Sequence, residues 1–544
     1  MNVGARAARA KVSSILRFWV LSCYNVSFMP WPMTAATLPR RSVLASAASL
    51  PFLPRAVAAQ PASDPFRVVT SQEINGLDPS RSGYVFARMQ VVETLTGADD
   101  GGLPVPQLAR AWTLSEDRLT WRFELRPDAR FHDGTSVTAE AVAFCLDRAR
   151  RQTGVLGNIP IESIAVEAGG IVIRTRRPFV SLTAFLAHYS TAILAPASFE
   201  GEAVRAVIGS GPYKVARLLA PQRLETERSE HWDGPPPAFA RASYLAAGRG
   251  ETRAAMAEGG QAEMVAQLAP ETVERLRRNP RLDIRVQPIP RTRLIKLNCA
   301  SPLFNDVRAR RAISLALDRA GMAAALLRSP ASAATQMFPA SMAEWHVPSL
   351  PPLRRDVAEA RRLLGALGWQ PGPDGLLVRD GAPFSFTLRT FSDRPELPGL
   401  ATAMQAQMRE VGIDMKVAVV NSGEIPAGHR DGTLEAALMA RNFSLVPDPL
   451  GTLLQDYGPQ GGDWGAMNWS SPALSALLEE LGATADAAER AALRSRASTI
   501  LQDELPVIPV SWFDLATAVS KRVGGLTVDP LEISYRVAGA RWVG

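Results

Sequence analysis

LARAWTLSEDRLTWRFELRPDARFHDGTSVTAEAV, residues 108–142, is the stretch of sequence that decides the fold. Within it, residues 120–125 alternate apolar and polar side chains, which predicts a half-buried strand. Residues 131–134 end in Asp-Gly, a pair typical of tight turns. Thr138 then stands where an N-cap is expected, before a helix that runs through Arg148. The stretch therefore predicts a strand, a turn and a helix in succession.

Outward from this stretch, helical and strand periodicities alternate along the chain, which predicts an α/β fold. The predicted strands are 66–70, 171–173, 384–388, 414–420 and 507–510. The predicted helices are 84–95, 307–327, 357–367, 400–411, 472–481 and 487–505, the last of them ended by Pro506.

The length and the charge pattern indicate how many lobes the chain forms and which partners it lacks the charge to bind. A chain of 544 residues exceeds what one hydrophobic core usually serves, so two or three lobes are expected. The formal net charge is +7, but residues 1–59 carry seven Arg and Lys and no Asp or Glu, so the remainder is neutral. A nucleic-acid partner therefore has no support in the charge pattern.

The first 59 residues have the pattern of a leader with a signal peptide. Arg40-Arg41 precedes an apolar run that ends at Leu53, and small residues follow, which predicts cleavage near Ala58 or Ala59. The expected location is the periplasm. The twin arginine indicates Tat export, and Sec export with a basic n-region stays the alternative. Because a signal peptide seldom lies so deep, we expect Met33 to be the true start and residues 1–32 not to be translated.

The cysteines form no metal site or disulfide framework. Cys145 and Cys299 lie far apart in apolar surroundings, without a CxxC pair. Two buried free thiols are predicted, and a single bridge between them stays the alternative. Neither follows the leader as a lipid-anchored cysteine would.

No set of residues organises catalysis, so the chain is predicted not to be an enzyme. His429-Arg430-Asp431 mimics a kinase catalytic loop, but no glycine-rich loop or DFG accompanies it. His132-Asp133 belongs to the predicted turn, and there is no GxSxG nucleophile elbow.

The stretch at 108–142 is joined by further motifs in a fixed order. They are Gly-Ser-Gly-Pro-Tyr at 209–213, Phe-Asn-Asp-Val-Arg at 304–308, Asp-Pro at 448–449 and Asn-Trp with Ser-Pro between 468 and 472. Together they resemble the bacterial extracellular solute-binding proteins of family 5, the peptide- and nickel-binding periplasmic components of ABC transporters. The resemblance covers residues 64–544.

The resemblance implies an α/β fold of the class II periplasmic binding protein type, a clamshell of two lobes joined by a hinge plus an additional lobe. Lobe I would comprise residues 64–98, 209–290 and 506–544. Lobe II, the small one, would comprise 99–208, and lobe III would comprise 291–505.

The implied function is capture of a small peptide or related solute by lobe closure, with delivery to membrane permease subunits and their ATPases. A monomer without a cofactor is expected. The alternatives are a binding protein for a metal chelate of the nickel type, or a chemosensory binding protein.

The resemblance also implies the ligand contacts. They are Tyr84, in a segment that begins at Ser82, and Phe391, Arg394, Arg441, Asn442, Phe443, Asp463 and Trp464. Arg441 is expected to clamp a carboxylate, and a salt bridge between lobes is its alternative role. For Phe443 and Trp464 the alternative is core packing, and for Tyr84 it is packing between helices.

Two departures from the family pattern bear on the cargo. The aspartate that holds a peptide amine in dipeptide-type members is missing from residues 443–447. The tyrosine expected before Asp448 in nickel-type members is Pro447, and residues 450–469 contain no histidine. The five histidines form no close pair, so a metal is expected only inside a chelate that brings its own ligands.

Overall fold

The computed structural model describes residues 64–152, 154–167, 169–459 and 461–543. The leader, its cleavage site and the start at Met33 concern residues outside these ranges and stay predictions. Within the described ranges, no helix combines the length and the hydropathy needed to cross a bilayer.

The strands that build the two main sheets are labelled here in chain order. They are β1 (Phe66–Thr70), β2 (Ala109–Leu114), β3 (Thr120–Leu125), β4 (Ile161–Glu167), β5 (Gly170–Thr175), β6 (Tyr213–Leu219), β7 (Arg223–Arg228), β8 (Arg241–Ala246), β9 (Met264–Val265), β10 (Leu282–Leu297), β11 (Ser385–Phe391), β12 (Asp414–Val420), β13 (Ala436–Asn442) and β14 (Val507–Ser520).

The larger sheet of the described chain has ten strands in the order β6-β7-β8-β1-β9-β14-β10-β13-β11-β12. Two groups of strands in it run parallel: β1 with β8 and β9, and β11 with β12 and β13. The two longest strands, β10 and β14, pair antiparallel in the middle and join the groups. Parallel pairing brings the carboxyl ends of each group to one edge, where α/β proteins bind ligands.

The smaller sheet has four antiparallel strands in the order β2-β3-β5-β4. Short strands outside both sheets form pairs or a triplet. These are Thr96–Ala98 with Pro104–Pro106, Phe199–Glu200 with Ala203–Val204, Val523–Gly524 with Arg541–Trp542, and Gln370–Pro371 with Leu377–Arg379 and Ala382–Pro383.

Helices connect and cover the strands. They are Pro79–Ser82, Tyr84–Arg88, Ala139–Arg151, Leu182–Phe185, Gly250–Glu258, Pro270–Arg277, Val307–Ala316, Arg319–Ala325, Val357–Ala366, Glu396–Glu410, Glu424–Asp431, Leu450–Tyr457, Pro472–Ala483 and Ala487–Glu504, with short 3-10 turns at Val155–Asn158, Tyr189–Thr191, Pro196–Ser198, Pro330–Ser332 and Val537–Gly539.

Two large apolar cores stabilise this arrangement. One combines residues between 95 and 195 with residues between 294 and 510. The other draws its residues from 66–92, 192–266 and 519–540, so the two ends of the described chain share a core. Burial of apolar surface in both cores contributes about 25 cal/mol per Å² removed from water.

Most predicted elements are confirmed, and three are wrong in extent. The helix predicted over 84–95 ends at Arg88, because Gln90 has a positive φ of 57° and turns the chain. The helix predicted over 307–327 breaks after Ala316, where Asp318 caps a second helix through the Gly321 amide. The strand predicted over 507–510 extends to Ser520, because β14 pairs along β10.

The thiol prediction is confirmed in the structure. Cys145 and Cys299 are both buried and free, so the alternative of a bridge between them is wrong.

Candidate functional site

A cavity of about 610 Å³ opens at the carboxyl ends of both groups of parallel strands. Residues that follow β1 and β8 line one side. Phe391, Asn421 and Arg441, at the ends of β11, β12 and β13, line the other. The polar groups of the cavity wall lie mainly on loop residues at the strand ends, because the strands of a buried sheet carry apolar side chains along their length.

The cavity brings together most of the predicted contact residues. Its wall includes Tyr84, Phe391, Arg394, Arg441, Asn442 and Trp464. Two others lie elsewhere. Phe443 is fully buried in the core against Phe338, with ring centroids 5.1 Å apart. Asp463 directs its carboxylate to Arg430, 2.5 Å away, on the outer side.

Aromatic rings form much of the apolar wall. Phe391 and Trp464 meet edge to face, with centroids 6.2 Å apart, and Tyr84 and Tyr189 do the same at 6.0 Å. The Tyr84 hydroxyl donates to the Glu73 carbonyl at 2.9 Å. These pairs fix the ring planes, which gives a bound solute flat surfaces to pack on.

Arg441 already has a carboxylate partner within the protein. Its Nε and Nη2 donate to Asp456 over 2.5 and 3.1 Å, and Asp456 is only 1% exposed. Burial raises the pKa of Asp456, and Arg441 opposes that rise. A ligand carboxylate at Arg441 would have to compete with this pair, which lies within the segment predicted as lobe III and not between lobes.

Arg394, one of the expected contacts, lies in a cluster with Arg88 and Arg291, two arginines of the cavity wall that the sequence motifs do not indicate. Arg291 pairs with Glu532 at 2.5 Å, and Arg88 Nε donates to the Glu532 carbonyl at 2.7 Å. Neither Arg291 nor Glu532 stands out in the sequence, because β10 mixes several arginines with apolar residues and Glu532 lies in no predicted element.

The charges of this cluster shift one another's pKa. The pKa of Arg291 is lowered to about 9, chiefly by burial and in part by the nearby Arg394. Burial would raise the pKa of Glu532, but Arg291, Arg88 and Arg394 outweigh it, so that pKa is lowered. Glu532 is therefore a carboxylate at neutral pH, surrounded by more positive than negative charge.

A second cavity of about 560 Å³ adjoins the first and shares Tyr84, Arg88, Tyr189 and Leu445 with it. Asp529 lies in its wall and accepts the amides of Leu531 and Ser534. Arg88 thus contacts both spaces.

Lys296, on β10, holds the loop that carries Trp464. It is fully buried, and its Nζ donates to the carbonyls of Gly462 and Asp463 at 2.8 and 2.9 Å and to His429 Nδ1 at 2.5 Å. Burial lowers the pKa of Lys296 to about 7. While Lys296 is charged, its ammonium group has only donors, so Nδ1 of His429 accepts and the proton of the neutral ring is on Nε2.

Histidines are not part of the cavity wall. None of the five histidines lines it, and His132 Nε2 instead contacts the Gly211 carbonyl at 3.0 Å. Among the residues that the structure describes, no group of three His, Cys, Asp or Glu side chains is arranged to hold a metal.

Comparison with known proteins defines the family. The model of "Bacterial extracellular solute-binding proteins, family 5 Middle" matches residues 104–464. The nickel-binding periplasmic protein of Escherichia coli K12 is 26% identical over 516 residues, 90% of this chain and 96% of that protein. The glutathione-binding protein GsiB of the same strain is 25% identical over 445 residues, 78% and 83% of the two chains.

A solved structure defines the fold. The oligopeptide-binding protein AppA of Bacillus subtilis, in complex with a nonapeptide, superposes with a TM-score of 0.79 at 18% identity, over 89% of this chain and 99% of AppA. The predicted α/β fold of the class II periplasmic binding protein type is thereby confirmed. With a family match across most of the strands and the cavity wall, the chain belongs to the bacterial extracellular solute-binding proteins of family 5.

Proposed function

We propose that this protein captures a small solute with carboxylate groups in the 610 Å³ cavity and delivers it to the permease subunits of an ABC importer. The cargo is a small peptide or a metal chelate. The protein works in the periplasm as a monomer, and the ATPases on the inner side of the membrane power the import.

One observation carries the proposal: the wall of the cavity is cationic. Four arginines line it, against two acidic lining residues, Glu73 and Asp393. Arg441 and Arg291 pair with Asp456 and Glu532, so the surplus rests on Arg88 and Arg394, which form no salt bridge in the described chain. In an enclosed space with reduced access to water, such a surplus attracts anions more strongly than it would at the surface. Aromatic rings beside the arginines supply apolar contact for the body of the solute.

Lobe closure is the proposed means of capture, with the boundaries expected for the family. Lobe I comprises 64–98, 209–290 and 506–544, lobe II comprises 99–208, and lobe III comprises 291–505. In favour of lobe I, the second apolar core draws its residues almost entirely from these three segments. Closing the lobes around a solute removes water and completes its polar contacts.

The size of the cavity favours cargo of a few residues. A volume of about 610 Å³ lies within the range of roughly 300–1,000 Å³ typical of small-molecule sites. The names of two relatives give glutathione, a tripeptide, and nickel as their ligands, in keeping with a small peptide or a metal-bearing compound as cargo. Since no histidine lines the wall, a metal would enter with its own ligands.

The test is native mass spectrometry of the protein purified from its own periplasm, followed by mild denaturation to release bound molecules. We expect one small carboxylate compound per chain. A peptide would establish peptide import, and a metal-bearing compound would establish chelate import. Protein that carries no small molecule and binds none from an extract of its growth medium would refute solute capture.

A further inference from the structure

We propose that the arginine cluster of Arg88, Arg291 and Arg394 is an oxyanion subsite, which binds a carboxylate or phosphate group of the cargo. The inference deepens the proposed function and rests on it, since it presumes that the cavity holds a solute. It assigns the anchor to the cluster rather than to Arg441.

The first argument is unbalanced charge. Within the described ranges, Arg291 has Glu532 as its carboxylate partner, whereas neither Arg88 nor Arg394 forms a salt bridge. Glu396 is near Arg394, but its carboxylate is 2.9 Å from Arg293. Three guanidinium groups therefore share one carboxylate. Buried charges are normally paired, so a further anion is expected here.

The second argument is unused hydrogen-bond donors. Arg291 is 4% exposed, and its Nε and Nη1 are buried without a partner. Nη1 of Arg394 is buried without a partner as well. Buried polar groups in native proteins are nearly always satisfied, and each exception needs an explanation. An oxyanion that accepts from these guanidinium groups would supply the missing acceptor.

The third argument is that the guanidinium groups are held in place. Arg291 and Arg394 lie over the Phe513 ring, 5.0 and 5.3 Å from its centroid. Arg88 lies 5.3 Å from the centroid of the Tyr84 ring. Stacking on aromatic faces lowers the entropy that an arginine loses when it binds, and a planar fork suits both carboxylate and phosphate. Arg441, by contrast, is already occupied by Asp456.

The experiment measures anion binding to protein freed of cargo. The chain is unfolded in guanidinium chloride, dialysed and refolded, and circular dichroism verifies the refolding. Isothermal titration calorimetry then compares three probes: citrate, inorganic phosphate and trimethyl citrate, a neutral analogue. The variants are Arg394→Met and Arg291→Met. Arg430→Met, an exposed arginine outside the cavity wall, is the matched control.

We expect citrate or phosphate, but not trimethyl citrate, to bind the wild type and Arg430→Met equally. Binding to Arg394→Met should be roughly tenfold to a hundredfold weaker, the effect of losing a charge-assisted hydrogen bond. The oxyanion that binds more tightly identifies the cargo group. Should Arg291→Met fail to refold, the Arg394→Met result decides alone, since Arg394 forms no salt bridge in the described chain.

Equal citrate and phosphate affinity in Arg394→Met and wild type would overturn the subsite, as would a wild type that binds neither anion. The two proposals fail separately. A released cargo together with an unaffected Arg394→Met would leave solute capture standing and remove the subsite. A chain without any cargo would remove solute capture itself.

Discussion

Replacement of Lys296 by methionine tests how much the burial of a charged amine lowers the free energy of unfolding. The pKa of Lys296 is about 7 in the folded protein, against 10.5 for an ordinary lysine. That difference corresponds to about 5 kcal/mol. The unfolded chain binds the proton of Lys296 more tightly than the folded chain does. The burial of the charged amine therefore lowers the free energy of unfolding by its full amount below about pH 7, and this destabilisation is lost as pH rises towards about 10.5. Wild-type stability should therefore rise with pH.

The expected result is a change in the difference between two proteins. Between about pH 6 and about pH 10, the free energy of unfolding of the wild type should rise by about 4 kcal/mol relative to that of Lys296→Met. Urea denaturation followed by tryptophan fluorescence measures both. Groups that do not face Lys296 titrate alike in the two proteins and cancel, and so does the pH-independent loss of the bonds to Gly462 and Asp463. The pKa of His429 is lowered in part by the charge of Lys296, so this histidine contributes to the difference at the acidic end of the range.

The control is Lys416→Met, which removes a lysine whose side chain is 66% exposed on β12. Its difference from the wild type should stay constant over the same pH range, because this side chain is in contact with solvent in both the folded and the unfolded chain. A wild-type minus Lys296→Met difference that also stays constant would refute the reasoning, since Lys296 would then carry its charge in the core at no cost.

Three further substitutions test the site. Asp456→Asn should lower the free energy of unfolding by about 3 kcal/mol in urea denaturation, because Arg441 loses its partner; an unchanged midpoint would contradict the buried pair. Phe443→Ala should cost about 3–5 kcal/mol by the same assay, and a loss below about 1 kcal/mol would argue against core packing. Trp464→Ala should weaken cargo binding roughly tenfold in calorimetry with little change in stability, since the ring is half-buried in the wall; full affinity would exclude it from the site.

Local chemistry explains which elements were predictable. Thr138 caps its helix through the Ala141 amide at 3.3 Å, as its place before an amphipathic run indicates. The break after Ala316 was missed because Leu317 and Asp318 continue the helical periodicity, while Asp318 begins a new helix instead. Periodicity records which face is buried but not where a helix stops, so a cap inside a periodic run goes unnoticed.

The family resemblance indicated individual wall residues, but not the ion pairs that join distant segments. Phe391 and Arg441, which line the cavity, were expected as contacts from the resemblance alone. The pairing of Arg291 with Glu532 joins residues 241 positions apart, and no local pattern indicates it. Asp456 was missed for a related reason: it lies on a helix face that only the folded chain turns towards Arg441.

The position of β14 constrains the order in which the molecule can be assembled. Although β14 is the last long strand to be synthesised, it lies in the middle of the ten-stranded sheet, between β9 and β10. A chain interrupted before Val507 has two separate half-sheets, each with an open edge that invites pairing with other chains. The ten-stranded sheet therefore forms only after β14 has been synthesised, and a chain that lacks β14 needs protection from aggregation until then.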